Sequence, residues 1–253
     1  MAVIGIFDSG VGGLSVFREI RALIPESAYV YYADSAFCPY GERTPLEIQG
    51  RARAITDILL GKGADIIVVA CNTATAAAIQ TLRSEYGVPF VGMEPAVKPA
   101  ALGTRSGVIG VLATAGTLKG SKYLHTKGNF ENDVRIIEHV GSGFVELVEK
   151  GILDGPEAEN TVERSLAPLL AAGADTVVLG CTHYPFLLPV MEKVAARLAP
   201  GADIRFIDPA PAVARQTVNV LGSAGISTEG SFSMQLMSSS DPSVLRAIYD
   251  RLV

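Results

Sequence analysis

The chain contains a segment and an imperfect copy of it, each ending at a cysteine: GADIIVVACNT at 63–73 and GADTVVLGCTH at 173–183. Gly63 aligns with Gly173, Asp65 with Asp175 and Cys71 with Cys181, without a gap. The likeness continues upstream, where LLGKGAD (59–65) pairs with LLAAGAD (169–175). Farther out, IGIFDS (4–9) resembles IGVLAT (109–114), and FVGMEPA (90–96) resembles RFIDPA (205–210). The outer pairs drift slightly in register, as loop insertions and deletions produce. Two similar units follow, not a solenoid, which needs more and shorter repeats. A duplicated fold presents two thiols at equivalent positions. If the units face each other about a pseudo-twofold axis, those thiols approach anything held between them from opposite sides.

Length and composition fit that reading. At 253 residues, 49% of them hydrophobic, there is material for two modest domains with their own cores. A net charge of −5 with scattered basic residues gives no electrostatic footprint for nucleic acid. The start, MAVIGIFDSG, lacks a basic region followed by a long apolar run, and no stretch suggests a membrane span. The cysteines, Cys38, Cys71 and Cys181, include no C-x-x-C pair and form no disulfide framework. The expectation is a cytoplasmic protein with reduced thiols.

Short, apolar, β-branched runs at 3–7, 29–33, 65–70, 89–93, 108–113, 134–140, 176–180 and 204–208 read as parallel strands buried on both faces. Helices are expected over 13–23, 45–61, 74–86, 143–150, 157–171 and 185–198. The fold class is therefore α/β, two similar domains with mainly parallel sheets. The first domain is placed at 1–97 and 208–253, its tail carrying a strand in SFSMQLMSSS and a final helix in SVLRAIYDRLV, and the second at 98–207. In open α/β sheets ligands sit beyond the carboxyl ends of the strands. Asp8, Ser9, Cys71, Asn72, Cys181, Thr182 and His183 all fall just past expected strand ends.

Four segments, DSGVGGLSV (8–16), PYGERT (39–44), ACNTAT (70–75) and GCTHYP (180–185), resemble the glutamate racemases of the aspartate/glutamate racemase superfamily. The resemblance covers nearly the whole chain. It implies two α/β domains related by pseudosymmetry with the active site in the cleft between them. It also implies cofactor-independent interconversion of L- and D-glutamate, supplying D-glutamate for peptidoglycan, with no metal. A homodimer is left open.

The chemistry can be reasoned separately. The carbanion beside a carboxylate is poorly stabilised, and many enzymes use pyridoxal phosphate as electron sink. Neither cysteine segment has a lysine beside it. A two-thiol mechanism instead sets one cysteine as thiolate base and the other as thiol acid. Two confined thiolates repel, so the pair should share one proton and titrate together. Asn72, Thr73 and Thr182 follow the cysteines and can donate to a substrate carboxylate. The resemblance adds Ser9, Pro39, Tyr40, Gly41, Thr114 and Thr117 as substrate contacts. It makes His183 the helper of Cys181, Asp8 its counterpart beside Cys71, and Glu149 a further carboxylate at the site. The chain departs from the commoner family pattern at 141–143, GSG, where many relatives carry proline, and the placement of Glu149 depends on that turn.

Plainer readings stand beside these. A cysteine after an apolar strand is commonly a small core residue, and Cys38, which has no partner in the repeat, is read as a packing or loop residue. Asp34 is as readily a turn residue as a functional acid. His125 and His139 read as structural or solvated, and Asp65 and Asp175 as strand-starting residues. DSGVGG could be a phosphate turn but lacks the P-loop lysine. Another superfamily isomerase acting on a different acid, and a non-catalytic dicarboxylate binder, remain as alternatives.

Overall fold

The computed structural model describes residues 2–252. Met1 and Val253, the end of the expected final helix, lie outside the described residues. Along the chain run β1 (Val3–Asp8), α1 (Leu14–Leu23), β2 (Ala28–Ala33), α2 (Pro45–Gly61), β3 (Ile66–Val69), α3 (Asn72–Glu85), β4 (Phe90–Gly92) and α4 (Val97–Gly103). Next come β5 (Val108–Ala113), α5 (Ala115–Leu118), α6 (Ser121–Gly128), β6 (Arg135–Val140), α7 (Phe144–Glu149), α8 (Pro156–Ala171) and β7 (Thr176–Gly180). The chain ends with α9 (Leu188–Leu198), β8 (Arg205–Ile207), α10 (Ala210–Ser223), β9 (Ser233–Ser238) and α11 (Ser243–Leu252). These elements fall into two compact units, Met1–Met93 with Ala210–Val253, and Glu94–Pro209.

In the first unit the sheet order is β4-β3-β1-β2-β9, every pairing parallel. Central β1 sets Asp8 opposite Ala33 on one side and Ile6 opposite Val68 on the other. The residues of β2 and β3 are buried throughout, as strands covered by helices on both faces must be. Helix α2 packs against α3, and α10 against α1. The start of α2 is sharply defined: Pro45 follows Thr44, whose hydroxyl accepts from the Glu47 N–H while the Glu47 carboxylate accepts from the Thr44 N–H.

The second unit has the order β6-β5-β7-β8, again parallel throughout. Matching β1 to β5, β2 to β6, β3 to β7 and β4 to β8 gives the same order as the first four strands of the other unit, so the sequence repeat is a repeat of topology. The expected α/β class with parallel sheets is the observed one.

The twin GAD segments serve this architecture. Gly63 (φ 84°) and Gly173 (φ 90°) end their helices in the left-handed region that a side chain disfavours. The aspartates two residues on tie each turn to the start of a neighbouring strand, β1 in the first unit and the segment just before β5 in the second. Asp65 Oδ2 accepts from the Val3 N–H at 2.8 Å. Asp175 accepts from Thr104 Oγ1 at 2.6 Å and from the N–H groups of Arg105 and Ser106 at 2.7 and 2.8 Å.

Several elements differ from the sequence expectation. Edge strands β6 and β8 are partly exposed and are not buried on both faces, and β9, expected only as a strand, is partly exposed too. Each has neighbours on one side only, and charged residues such as Arg135 and Glu138 in β6 suit that position. Helices α4, α5, α6 and α10 were not anticipated. The first three are short and weakly periodic, and α10 follows directly on the repeat boundary at 205–210. Helix α3 begins at Asn72, directly after Cys71, and α9 begins only after a 3-10 turn at Tyr184–Leu187.

Burial pushes the Asp175 carboxyl up, but hydrogen bonds from Thr104, Arg105, Ser106 and Thr176 outweigh it and hold the group below the ordinary carboxylate range. A depressed folded value means stability fully present above the unfolded value of about 4 and lost as pH falls through the folded one. Asp175→Asn should therefore lower stability at neutral pH by about 1–2 kcal/mol. In urea titrations the gap to the native protein should narrow in strong acid, and a gap constant with pH would contradict this role.

Candidate active site

In the first unit β1 and β3 end side by side. Asp8, fully buried at the end of β1, accepts through Oδ1 from the Ser9 N–H at 2.7 Å and the Ser9 hydroxyl at 3.3 Å. Its Oδ2 accepts from the Gly13 N–H at 2.7 Å. The glycine run thus wraps around a carboxylate. A Cβ on Gly13 would lie 2.8 Å from both the Asp8 Cβ and the Tyr31 hydroxyl, and 3.0 Å from the Ala70 Cβ. That hydroxyl in turn donates to the Gly10 carbonyl at 2.8 Å.

Cys71 caps α3. Its Sγ accepts from the Ala74 N–H at 3.4 Å and lies 3.9 Å from Ser9 Oγ. A helix N-terminus favours the thiolate by its unpaired N–H groups and dipole. Next to it Asn72 is buried, and both polar atoms of its carboxamide lack a hydrogen-bond partner among the described residues. Leaving such groups unsatisfied costs about 1–3 kcal/mol each. Thr73 is buried beside it.

The loop after β2 carries Pro39, Tyr40 and Gly41. Tyr40 is buried, and its hydroxyl donates to Asp34 Oδ2 at 2.6 Å. Burial, then the hydrogen bond to and charge of Asp34, hold this phenol well above its ordinary range, so it remains a donor. Pro39 and Gly41 flank it, half-buried.

In the second unit β5 and β7 end together. Cys181 follows β7, its Sγ 3.7 Å from His183 Nδ1, and Thr182 Oγ1 is 3.5 Å from the same nitrogen. On the far side of the ring, His183 Nε2 meets Glu149 Oε1 at 2.6 Å. With Nε2–H donating to that carboxylate, Nδ1 is an acceptor facing the sulfur. After β5, Thr114 caps α5, its hydroxyl 3.3 Å from the Thr117 N–H and 3.0 Å from the Thr117 hydroxyl.

Glu149 reaches His183 because of the GSG turn. Gly143, at φ 85°, begins α7, and the Gly141 carbonyl accepts from the Tyr184 hydroxyl at 3.4 Å. A Cβ on Gly141 would fall 2.5 Å from that hydroxyl, and the Tyr184 ring meets Phe144 edge-on at 4.9 Å. The sequence marks Gly141 as part of the GSG turn, and Gly13 and Tyr184 only as members of family-like segments. It marks Tyr31 only as part of an expected strand, and the close approaches of the two tyrosines to these glycines were not anticipated.

The structure thus gathers Asp8, Ser9, Cys71, Asn72 and Thr73 at one set of strand ends, with Tyr40 in the adjoining loop. It gathers Cys181, Thr182, His183 and Glu149 at another, with Thr114 and Thr117 after the neighbouring strand. The thiols are equivalent, their helpers are not. The repeat sets Ala113 opposite Asp8 and Thr73 opposite His183. A carboxylate and a serine hydroxyl lie near one sulfur, and an imidazole backed by a carboxylate near the other.

A family model described as Asp/Glu/Hydantoin racemase matches residues 4–217. A glutamate racemase from Ectopseudomonas mendocina is 47% identical over 254 residues, covering 100% of this chain and 95% of that protein. Among solved structures, a glutamate racemase isoform from Bacillus anthracis superposes with a TM-score of 0.86 at 31% identity, covering 99% of this chain and 93% of its own. The Escherichia coli glutamate racemase, in complex with L-glutamate and the activator UDP-MurNAc-ala, gives 0.85 at 34%, covering 99% and 95%.

Gly13→Ala should lower the stability of the first unit by about 2 kcal/mol, since the added methyl presses on Asp8 and Tyr31. Tyr31→Phe, which loses the bond to Gly10, should cost about 1 kcal/mol. Urea titration followed by circular dichroism measures both, and a neutral Gly13→Ala would show the turn to be looser than described.

Proposed function

The chain belongs to the Asp/Glu/hydantoin racemase family and is an amino-acid racemase; on that premise we propose that it interconverts L- and D-glutamate by two-cysteine proton transfer, without a cofactor. The observation that carries this reading is the pair of equivalent thiols, each at a strand end and each provided with its own polar helpers.

In the proposed reaction Cys71 and Cys181 act on opposite faces of the α-carbon of glutamate. Following the family resemblance, Cys71 takes the proton from D-glutamate and Cys181 from L-glutamate. The thiolate forms an S–H bond as the C–H bond breaks. The electron pair passes into the carboxylate, and the opposite thiol gives its proton to the other face. One thiol and one thiolate remain with their roles exchanged, and no redox change occurs.

A free cysteine with a pKa near 8.5 is a few per cent thiolate at neutral pH, and lowering that pKa by one is worth only about 1.36 kcal/mol. Making the thiolate is therefore a small part of the barrier. The larger part is the charge that develops on the substrate carboxylate. The Asn72 carboxamide, Thr73, Thr182, Ser9 and the Thr114–Thr117 pair are the proposed donors, with Pro39, Tyr40 and Gly41 as further contacts. Asp8 assists proton transfer beside Cys71 through Ser9, and the Glu149–His183 pair does so beside Cys181. Water must be kept from the carbanion, which it would otherwise quench without stereochemical control.

The proposed product supplies D-glutamate for peptidoglycan, which places the enzyme in the cytoplasm. No helix among the described residues is long and apolar enough to cross a membrane.

A panel of amino acids followed by circular dichroism should show rapid racemisation of glutamate and poor action on aspartate and alanine, unaffected by chelators. Cys71→Ala and Cys181→Ala should each lose racemisation by a factor of about a thousand or more, whereas Cys38→Ala should retain most of it. A preference for aspartate would overturn the substrate assignment. Near-native racemisation by either alanine variant would overturn the mechanism.

A further inference from the structure

Asp34 lies directly after β2, fully buried, and its own N–H donates to the carbonyl of Asp8 at 3.0 Å. Its carboxylate is completely engaged. Oδ2 accepts from the Tyr40 hydroxyl at 2.6 Å and from Arg51 Nε at 2.9 Å, and Oδ1 accepts from Arg51 Nη2 at 2.8 Å. The Arg51 guanidinium, reaching in from α2, also lies over the Phe37 ring at 4.0 Å. Arg43 stacks on the same ring at 5.1 Å, and its N–H donates to the Tyr40 carbonyl at 3.1 Å.

This arrangement decides between the two roles open to a buried acid here. A group that shuttles protons needs a lone pair directed at the reacting atoms. The Asp34 oxygens instead face Tyr40 and the planar fork of Arg51, a geometry suited to rigid bidentate recognition. The loop between them, residues 35–43, has only two short 3-10 turns of its own. Its conformation depends on contacts at Phe37, at Tyr40 and at Arg43, and Asp34 with Arg51 supplies the first two.

We propose that Asp34 is the positioning residue for the Pro39–Tyr40–Gly41 segment, acting through Tyr40 and Arg51 to hold the loop in its substrate-binding form. The inference rests on the reading above that this loop contacts glutamate. Asp34 would then govern how well substrate is bound while taking no part in the proton transfers.

Three variants in the full chain test it: Asp34→Asn, which removes the charge and turns a donor toward Arg51; Arg51→Lys, which keeps the charge but loses the fork; and Tyr40→Phe. In the ligand-free protein, Asp34→Asn should speed amide exchange across 38–43 about tenfold, with β1 and β3 unchanged. KM for glutamate should rise about tenfold or more while kcat changes by less than about threefold and keeps its pH profile. Arg51→Lys should give an intermediate KM. Adding Tyr40→Phe to Asp34→Asn should give much less than the product of the two single effects. Unchanged loop exchange and KM, with only a lower denaturation midpoint, would reduce Asp34 to a structural residue and overturn the proposal. A fall in kcat with an altered pH profile and unchanged KM would make it a proton-transfer group and overturn it equally. A native protein inactive on glutamate would sink the substrate assignment, and the exchange measurement would still decide the anchor.

Discussion

A parallel strand covered by helices on both faces must leave its sheet abruptly, and the residue after its last ladder bond meets the start of the next helix. In this protein that constraint places the two cysteines of the repeat and the polar residues beside them. Strand β3 is buried at every position, the chain turns at Cys71, and α3 begins with the next residue. Strand β7 is equally buried and delivers Cys181 into a 3-10 turn. Burial of the strands makes the positions rigid, and termination of the ladder leaves N–H groups and side chains aimed at whatever lies beyond. The Asp65 and Asp175 tethers keep each strand in register at its other end.

Around the equivalent thiols the two units have diverged. Beside Cys71 the carboxylate of Asp8 is enclosed by N–H groups of its own glycine turn and accepts from Ser9, whose hydroxyl lies 3.9 Å from the sulfur. Beside Cys181 an imidazole stands directly against sulfur and is oriented by Glu149. A racemase acts on two mirror-image substrates, and chemically distinct surroundings at its two equivalent thiols are compatible with that task. The buried, unspent carboxamide of Asn72 occurs on the Cys71 side, where the repeat supplies Thr182 as its counterpart.

Much of this was legible in the sequence because it is carried by local periodicity and repetition. The strands β5 and β7 and the helix α2 have the expected bounds, and the duplicated GAD-to-cysteine segments anticipated the shared sheet order. The less legible features depend on neighbours far along the chain. Edge exposure of β6 and β9 is set by sheet order, not by the hydropathy of RIIEHV or SMQLMS. Helix α10 owes its place to packing against α1. The need for glycine at 13 and 141 comes from tyrosines about 20 and 40 residues away in sequence, and no local pattern encodes that. The engagement of Asp34 by Tyr40 and Arg51 likewise emerges only when β2 and α2 are brought together.

The central claim is that a different thiol serves each face of the α-carbon. The most direct measurement is to start the reaction from each pure enantiomer in heavy water and examine substrate and product after a small fraction of turnover. Two separate bases predict solvent deuterium at the α-carbon of the newly formed enantiomer in both directions, with the remaining starting enantiomer essentially unlabelled. Early labelling of the recovered substrate as fast as of the product, in both directions, would point to a single base serving both faces and would contradict the account.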